Sequence, residues 1–332
     1  MFGQWLLRHP TFLVLPALVV IVALLLSPSS PLARSLPGLN KIKNLSNSSK
    51  APHPSPNANM PKAPVYFFSH GGPDVQYNTT HPVYPVLQAI GKEITQKVKP
   101  RAVVVFSAHW QAQPNEIHLN NDEDPGLIYD FHGFPAEFYK ATFPSKGSPA
   151  LASQILSLLS TAGIEAKGVK RGLDHGVFSG FNVAFSPEEN PLNCPLVQVS
   201  LFNSEDPDAH YRLGRAVASL RDENIVIIGT GMTVHNLRDM RFTWGNPTPM
   251  PYSVSFDNAL KEAVESAPET RQERMAAAAR RPDARQAHPW MDHLIPLYVA
   301  AGAAGEDKGV QTWTMHEGSF AWAQYRFGQV PA

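Results

Sequence analysis

Three runs of strand-forming residues in this chain each lead to a histidine: Val65-Tyr66-Phe67-Phe68 to His70, Val103-Val104-Val105-Phe106 to His109, and Ile225-Val226-Ile227-Ile228 to His235. Unbroken apolar runs of this kind suit strands covered on both faces, the condition of a parallel sheet between helices. Helical spacing fills the intervals. Val86, Leu87, Ile90, Ile94 and Val98 recur through 85–98, and Leu151, Ile155, Leu158 and Leu159 through 149–160. A strand at 102–107, a strand at 196–201, a helix at 209–221 and a strand at 224–229 continue the alternation, and 262–286, rich in Ala, Arg and Glu, favours helix with Arg280 and Arg281 in solvent. The predicted fold is therefore α/β, a single domain with a mainly parallel or mixed central sheet flanked by helices. Ligands of such sheets bind beyond the carboxyl ends of the strands, so His70, His109 and His235 are placed to converge there, and converging imidazoles point to a metal.

The rest of the composition narrows which metal. Cys194 is the only cysteine, so no internal disulfide forms and no thiolate cluster can be built. Histidine and carboxylate donors favour a borderline or hard divalent ion, one per chain. With 28 basic and 28 acidic residues the chain carries no net charge, and nothing in it suggests nucleic acid.

Local context singles out a few residues among the 13 histidines. His70 precedes Gly71-Gly72-Pro73, a turn where missing side chains permit close approach. Trp110, beside His109, is a candidate wall of the pocket. His175 lies in Arg171-Gly-Leu-Asp174-His175-Gly176, where Asp174 either orients the imidazole or belongs to a structural turn. His293 opens an apolar segment after His288-Pro-Trp-Met-Asp292, and its spacing alone assigns it no role.

The N-terminal part differs in kind. No Asp or Glu precedes Asp74, whereas Arg8, Arg34, Lys41, Lys43, Lys50 and Lys62 all fall before it. Residues 1–27 hold an uncharged apolar run of about bilayer length, predicted to be a hydrophobic helix acting as a single-pass membrane anchor. The alternatives are a secretory signal that is cleaved and a mitochondrial presequence; prolines around Ser27-Pro28-Ser29-Ser30-Pro31 make a poor cleavage site, and the run is not amphipathic. Residues 28–62, made largely of Pro, Ser, Asn and Lys, read as a disordered linker, and 63–332 as the catalytic domain.

Taken in order, the motifs Phe68-Ser-His70-Gly-Gly-Pro, Ser107-Ala-His109-Trp, Tyr129-Asp-Phe-His-Gly-Phe-Pro135, Arg171-Gly-Leu-Asp-His175-Gly, Gly229-Thr-Gly-Met-Thr-Val-His235-Asn-Leu, Asp292-His293-Leu-Ile-Pro-Leu and Tyr325-Arg-Phe-Gly328 resemble the class III (LigB-like) extradiol ring-cleavage dioxygenases, in the branch related to the 4,5-DOPA dioxygenases. The resemblance covers 64–328. It implies a non-haem metal, Fe(II) or Zn(II), held by His70, His109 and His293. It makes His235 an acid/base or an additional ligand, and His175 an acid/base or substrate contact. Relatives commonly carry Trp soon after the Asp-His-Gly turn where this chain has Val177-Phe178, which makes Phe178, with Trp110 and Asp174, a candidate substrate contact.

The implied reaction opens a catechol ring with O2 to a muconic semialdehyde. It needs protein donors on one side of the ion and free positions on the other. A base with a pKa near working pH would take a hydroxyl proton. Two further readings compete. An all-histidine set also suits a zinc hydrolase, although no His-Glu-x-x-His helix is present, and a silent relative could use the pocket only for binding. Membrane contact would come through the N-terminal segment; oligomeric state is not legible.

Overall fold

The structure is a computed structural model that describes residues 61–332. The predicted anchor at 1–27 and nearly all of the predicted linker lie outside the described residues; within them, no helix is long and apolar enough to cross a membrane.

The strands are β1 (Val65–Ser69), β2 (Ala102–Gln111), β3 (Glu116–Asn120), β4 (Glu165–Val169), β5 (Leu196–Leu201), β6 (Ile225–Gly231), β7 (Val234–His235), β8 (Gly309–Trp313), β9 (His316–Glu317), β10 (Phe320–Ala321) and β11 (Gln324–Phe327). The helices are α1 (Val83–Lys92), which runs on into a π-helical segment at Glu93–Val98, α2 (Pro149–Thr161), α3 (His175–Ala184), α4 (Pro207–Val217), α5 (Leu237–Thr243), α6 (Pro251–Val264), α7 (Pro268–Ala278), α8 (Ala284–Ala287) and α9 (Ile295–Ala303). Eight strands form one mixed sheet in the order β4-β3-β5-β2-β6-β1-β11-β8, and β7, β10 and β9 form a small second sheet. At the centre, β5, β2, β6 and β1 are mutually parallel. β11 and β8 add antiparallel at one side, and β3 meets β5 antiparallel at the other.

Strand periodicity sorts the central side chains into two layers. Val65, Phe67, Val104, Phe106, Ile225 and Ile227 face a core shared with α2, α4, α6 and α9. Tyr66, Phe68, Val103, Val105, Val226 and Ile228 face a second core with α1 and α3. Helix starts are written locally. Ser148 accepts from the Leu151 N–H at 3.2 Å ahead of Pro149, and Asp206 accepts from the Asp208 N–H at 2.9 Å ahead of Pro207, each joining a capping oxygen to a proline that lacks the N–H a helix start cannot use.

The predicted α/β domain is present, with differences at its margins. The helix expected at 262–286 is divided among the end of α6, α7 and α8, and Pro268 supplies no N–H to continue α6. The strands β3, β4, β8 and β11 had no apolar run to announce them: β4 and β8 are only partly buried edges, with polar residues among the apolar ones.

Candidate metal centre

The parallel centre delivers two histidines directly. His70 follows β1, and its N–H donates to the Gly231 carbonyl at 3.0 Å, so it continues the ladder beside the end of β6. The turn after it needs glycine: Gly71 has φ +66°, and a Cβ there would lie 2.3 Å from the Trp322 ring. His109 lies beyond the point where β2 loses register with β5, between Phe106 and Gln111, a disruption of the kind that re-aims side chains beside active sites.

The third histidine comes from the far side of the chain. His293 precedes α9, and its carbonyl accepts from the Met232 N–H at 2.9 Å. A Cβ on Gly231 would lie 2.1 Å from that carbonyl, so the approach requires glycine at the end of β6. One ring nitrogen from each of His70, His109 and His293 can be chosen so that all lie within 4.8 Å of one another.

Hydrogen bonding shows why this group suits a metal. His70 Nδ1 lies 2.6 Å from the Gly71 carbonyl, which makes it the protonated nitrogen and leaves Nε2 a free acceptor. His109 Nδ1 lies 3.1 Å from Asp130 Oδ2 and leaves its Nε2 free in the same way. His293 Nδ1 has no hydrogen bond, although Asp292 Oδ1, which accepts the His293 backbone N–H at 2.9 Å, is 3.2 Å away. His70 Nε2, His109 Nε2 and His293 Nδ1 are thus buried without partners. Orphaned nitrogens that converge are what a metal site presents before loading.

Burial pushes the pKa values of His70 and His293 well down, and the surrounding imidazoles add to the shift, so both rings are neutral donors. Burial presses His109 the same way, but the Asp130 hydrogen bond and the charges of Asp174, Asp130 and Asp292 outweigh it and raise its pKa. Asp130 is desolvated, yet its hydrogen bonds to His109 and His175 hold it strongly ionised.

The other predicted residues divide. His175 starts α3 beside the group, its ring centroid 3.9 Å from that of His109. Burial lowers its pKa, and Asp130 only partly offsets the effect. His235 does not join His70 and His109: β6 ends at Gly231 and the chain runs on through β7, leaving the His235 ring stacked on His293 at 3.6 Å and 12°. It falls in a separate grouping with Asp292 and His293. Burial and the His293 ring lower its pKa well below the usual range.

Asp174, Trp110 and Phe178, the three expected substrate contacts, are all buried. Asp174 is fully buried, accepting from Ser107 Oγ at 2.7 Å, Arg171 Nη1 at 2.9 Å and Gln198 Nε2 at 2.5 Å, and it makes no hydrogen bond with the His175 ring. Trp110 points to the opposite face of β2 from His109 and lies under the Arg171 guanidinium, 4.6 Å from its ring centroid. Phe178 is fully buried one turn into α3, its ring 5.9 Å from that of Tyr129.

Asp130 is the residue that local reading missed. Its Oδ1 lies 2.8 Å from His175 Nδ1 and accepts the His175 backbone N–H at 3.0 Å, filling the helix-capping role that the Asp174 side chain leaves vacant. Its signal in the sequence is its place in the Tyr129–Pro135 motif.

Comparison with known proteins bears on this site. Residues 58–328 match the family model described as the catalytic LigB subunit of aromatic ring-opening dioxygenase. A 4,5-DOPA dioxygenase extradiol of Beta vulgaris is 33% identical over 275 residues, covering 79% of this chain and 96% of that one. A 4,5-DOPA dioxygenase extradiol-like protein of Schizosaccharomyces pombe is 36% identical over 229 residues, covering 68% and 75% respectively. The crystal structure of an uncharacterized protein from Escherichia coli K12 superposes with a TM-score of 0.65 at 26% identity, covering 80% of this chain and all of that one.

Proposed function

The chain belongs to the LigB family and is an extradiol ring-cleavage dioxygenase, and from that premise we propose that it opens a catechol-type ring with O2 to a muconic semialdehyde at the His70, His109 and His293 centre. The observation that carries this reading is the convergence of three histidines, each with a buried unpartnered ring nitrogen, beyond the central parallel strands, with an oriented fourth histidine beside them. Three protein donors are the number that catalytic rather than closed structural sites use. When bound, Fe(II) supplies the redox chemistry through which catechol and O2 react, chemistry that Zn(II) lacks.

The chain's own groups handle protons. Asp130 keeps the proton of His175 on Nδ1, so Nε2 is the nitrogen that takes a proton from a catechol hydroxyl. His235, neutral through burial and stacked on His293, is placed to take the second hydroxyl proton and return it as the ring opens. The names of the relatives make DOPA the first catechol to test. The N-terminal run remains proposed as a membrane anchor, checked by carbonate-resistant recovery of full-length chain with membranes.

The full chain, prepared without oxygen, is loaded separately with Fe(II) and Zn(II) and offered DOPA, protocatechuate and simpler catechols. Oxygen uptake and a yellow semialdehyde absorbance with iron alone are the expected result. Tight metal binding without turnover of any catechol would overturn this reading in favour of a hydrolase or a silent binding protein.

A further inference from the structure

We propose that Asp130 is a positioning residue shared by two histidines of the centre, setting the ring tautomer and direction of His109 and His175 together. The inference rests on the reading of His109 as a metal ligand and of His175 as a proton acceptor. One carboxylate oxygen lies 3.1 Å from His109 Nδ1, and the other lies 2.8 Å from His175 Nδ1 while accepting the His175 backbone N–H. Only an acceptor at both oxygens can keep Nδ1–H on both rings and so turn both free Nε2 atoms toward the site.

The segment carrying Asp130 is held by its own contacts. Residues 126–128 pair with Leu173, the Ile128 N–H donating to the Leu173 carbonyl and the Leu173 N–H to the Gly126 carbonyl, each at 2.7 Å. The Tyr129 hydroxyl donates to the Ala141 carbonyl at 2.7 Å, and Phe131 meets the edge of the His175 ring at 5.5 Å between centroids. The carboxylate therefore faces α3 from a fixed backbone. Behind α3, Asp174 accepts from Ser107, Arg171 and Gln198 and hydrogen-bonds neither ring.

Asparagine separates the two duties. An amide has one acceptor oxygen. If that oxygen keeps the two His175 donors, the amide NH2 faces His109 Nδ1 and forces the ring proton onto Nε2, the nitrogen required for the metal. Asp130→Asn is thus expected to weaken metal binding about 10- to 100-fold, the usual cost of losing a ligand's outer hydrogen bond. His175→Gln removes the proton acceptor but leaves the His109 bond to Asp130, so it is expected to keep metal affinity within about threefold of wild type while ring opening is lost.

The experiment measures Zn(II) and Co(II) affinity of the full chain by competition with a chromophoric chelator, and reads imidazole tautomers in the metal-free protein by nitrogen-15 NMR. The expected results are Nδ1–H on both rings in the wild type, an Nε2–H form of His109 in Asp130→Asn, and the affinity difference between the two variants. The proposal is overturned by an Nε2–H form of either ring in the wild type, a reading that requires no variant to fold. It is equally overturned by unchanged affinity in Asp130→Asn, or by His175→Gln losing as much affinity as Asp130→Asn. A wild type that binds metal but opens no catechol would sink the functional reading and leave this one standing.

Discussion

His70, His109 and His293 have much in common with His210 and His288. All five have a buried ring nitrogen with no hydrogen-bond partner. His210 and His288 also have one nitrogen fixed by backbone, Nδ1 at 2.7 Å from the Asp206 carbonyl and Nε2 at 2.8 Å from the Thr233 carbonyl. What separates the groups is the surroundings. Ring nitrogens of the first three come together, whereas His210 and His288 each lie against a phenylalanine, Phe202 or Phe256, with ring centroids 5.4 and 5.5 Å apart. An unpartnered imidazole nitrogen is therefore no sign of a ligand by itself; convergence is.

The sharpest break in that comparison comes from removing one ring of each kind. His70→Ala or His293→Ala is expected to lower metal affinity by more than about 100-fold and abolish ring opening, since each removes a donor outright. His210→Ala is expected to leave metal content unchanged. Metal per chain after gel filtration reads both, and metal retained in His70→Ala would remove it from the ligand set.

Next in size is the glycine that admits His293. In Gly231→Ala the new methyl would meet the His293 carbonyl at 2.1 Å, a backbone atom that cannot rotate aside. A cost of about 3 kcal/mol or more is expected, at the upper end of overpacking penalties. Urea unfolding of the metal-free chain checks it, and a midpoint unchanged from wild type would mean that His293 is not held against β6.

The two groups of histidines were not equally legible in the sequence. His70 and His109 were found because each follows a run whose burial the composition forces, and the strand then aims the histidine at the sheet's carboxyl edge. The same logic overreached for His235, since two glycines let β6 run on to Gly231 and the chain turns before His235 is reached. The position that logic gave to His235 is occupied by His293, from a segment about 60 residues further on that carries no strand signal of its own. Resemblance to a family named it; spacing did not. Asp130 was hidden for the same reason, being 45 residues from His175 and brought there by loop pairing with Leu173.

The structural pair makes its own prediction about acid. Burial lowers both His210 and His288 to about 4, while weak backbone acceptors only partly oppose it. A histidine whose folded pKa lies below its unfolded value of about 6.5 contributes stability that is fully present above that value and is lost as pH falls toward the folded one. Each ring therefore costs the fold up to about 3 kcal/mol between about pH 6.5 and pH 4. His210→Gln cannot take up a proton, so its deficit relative to wild type should shrink as pH is lowered through this window. Unfolding midpoints of the metal-free proteins at pH 7 and 4.5 test this, and a deficit that is constant with pH would show that His210 is not buried neutral.

The smallest effect concerns Phe178, which proximity to the Asp174-His175-Gly176 turn made a candidate for substrate choice. Its ring points one turn below His175 into the layer shared with Val177 and Phe181 and has no exposed surface. Phe178→Leu shortens a core side chain and is expected to cost about 1–2 kcal/mol. It should leave the ratio of kcat/KM between any two catechols within about twofold, because specificity follows contacts that differ between transition states and this ring is fully buried in the core. A ratio shifted tenfold in a variant that still folds would return Phe178 to the pocket wall. The side chains that choose the substrate would then have to be sought along α3 rather than among the loops that bring Asp130 and His293 to the strand ends.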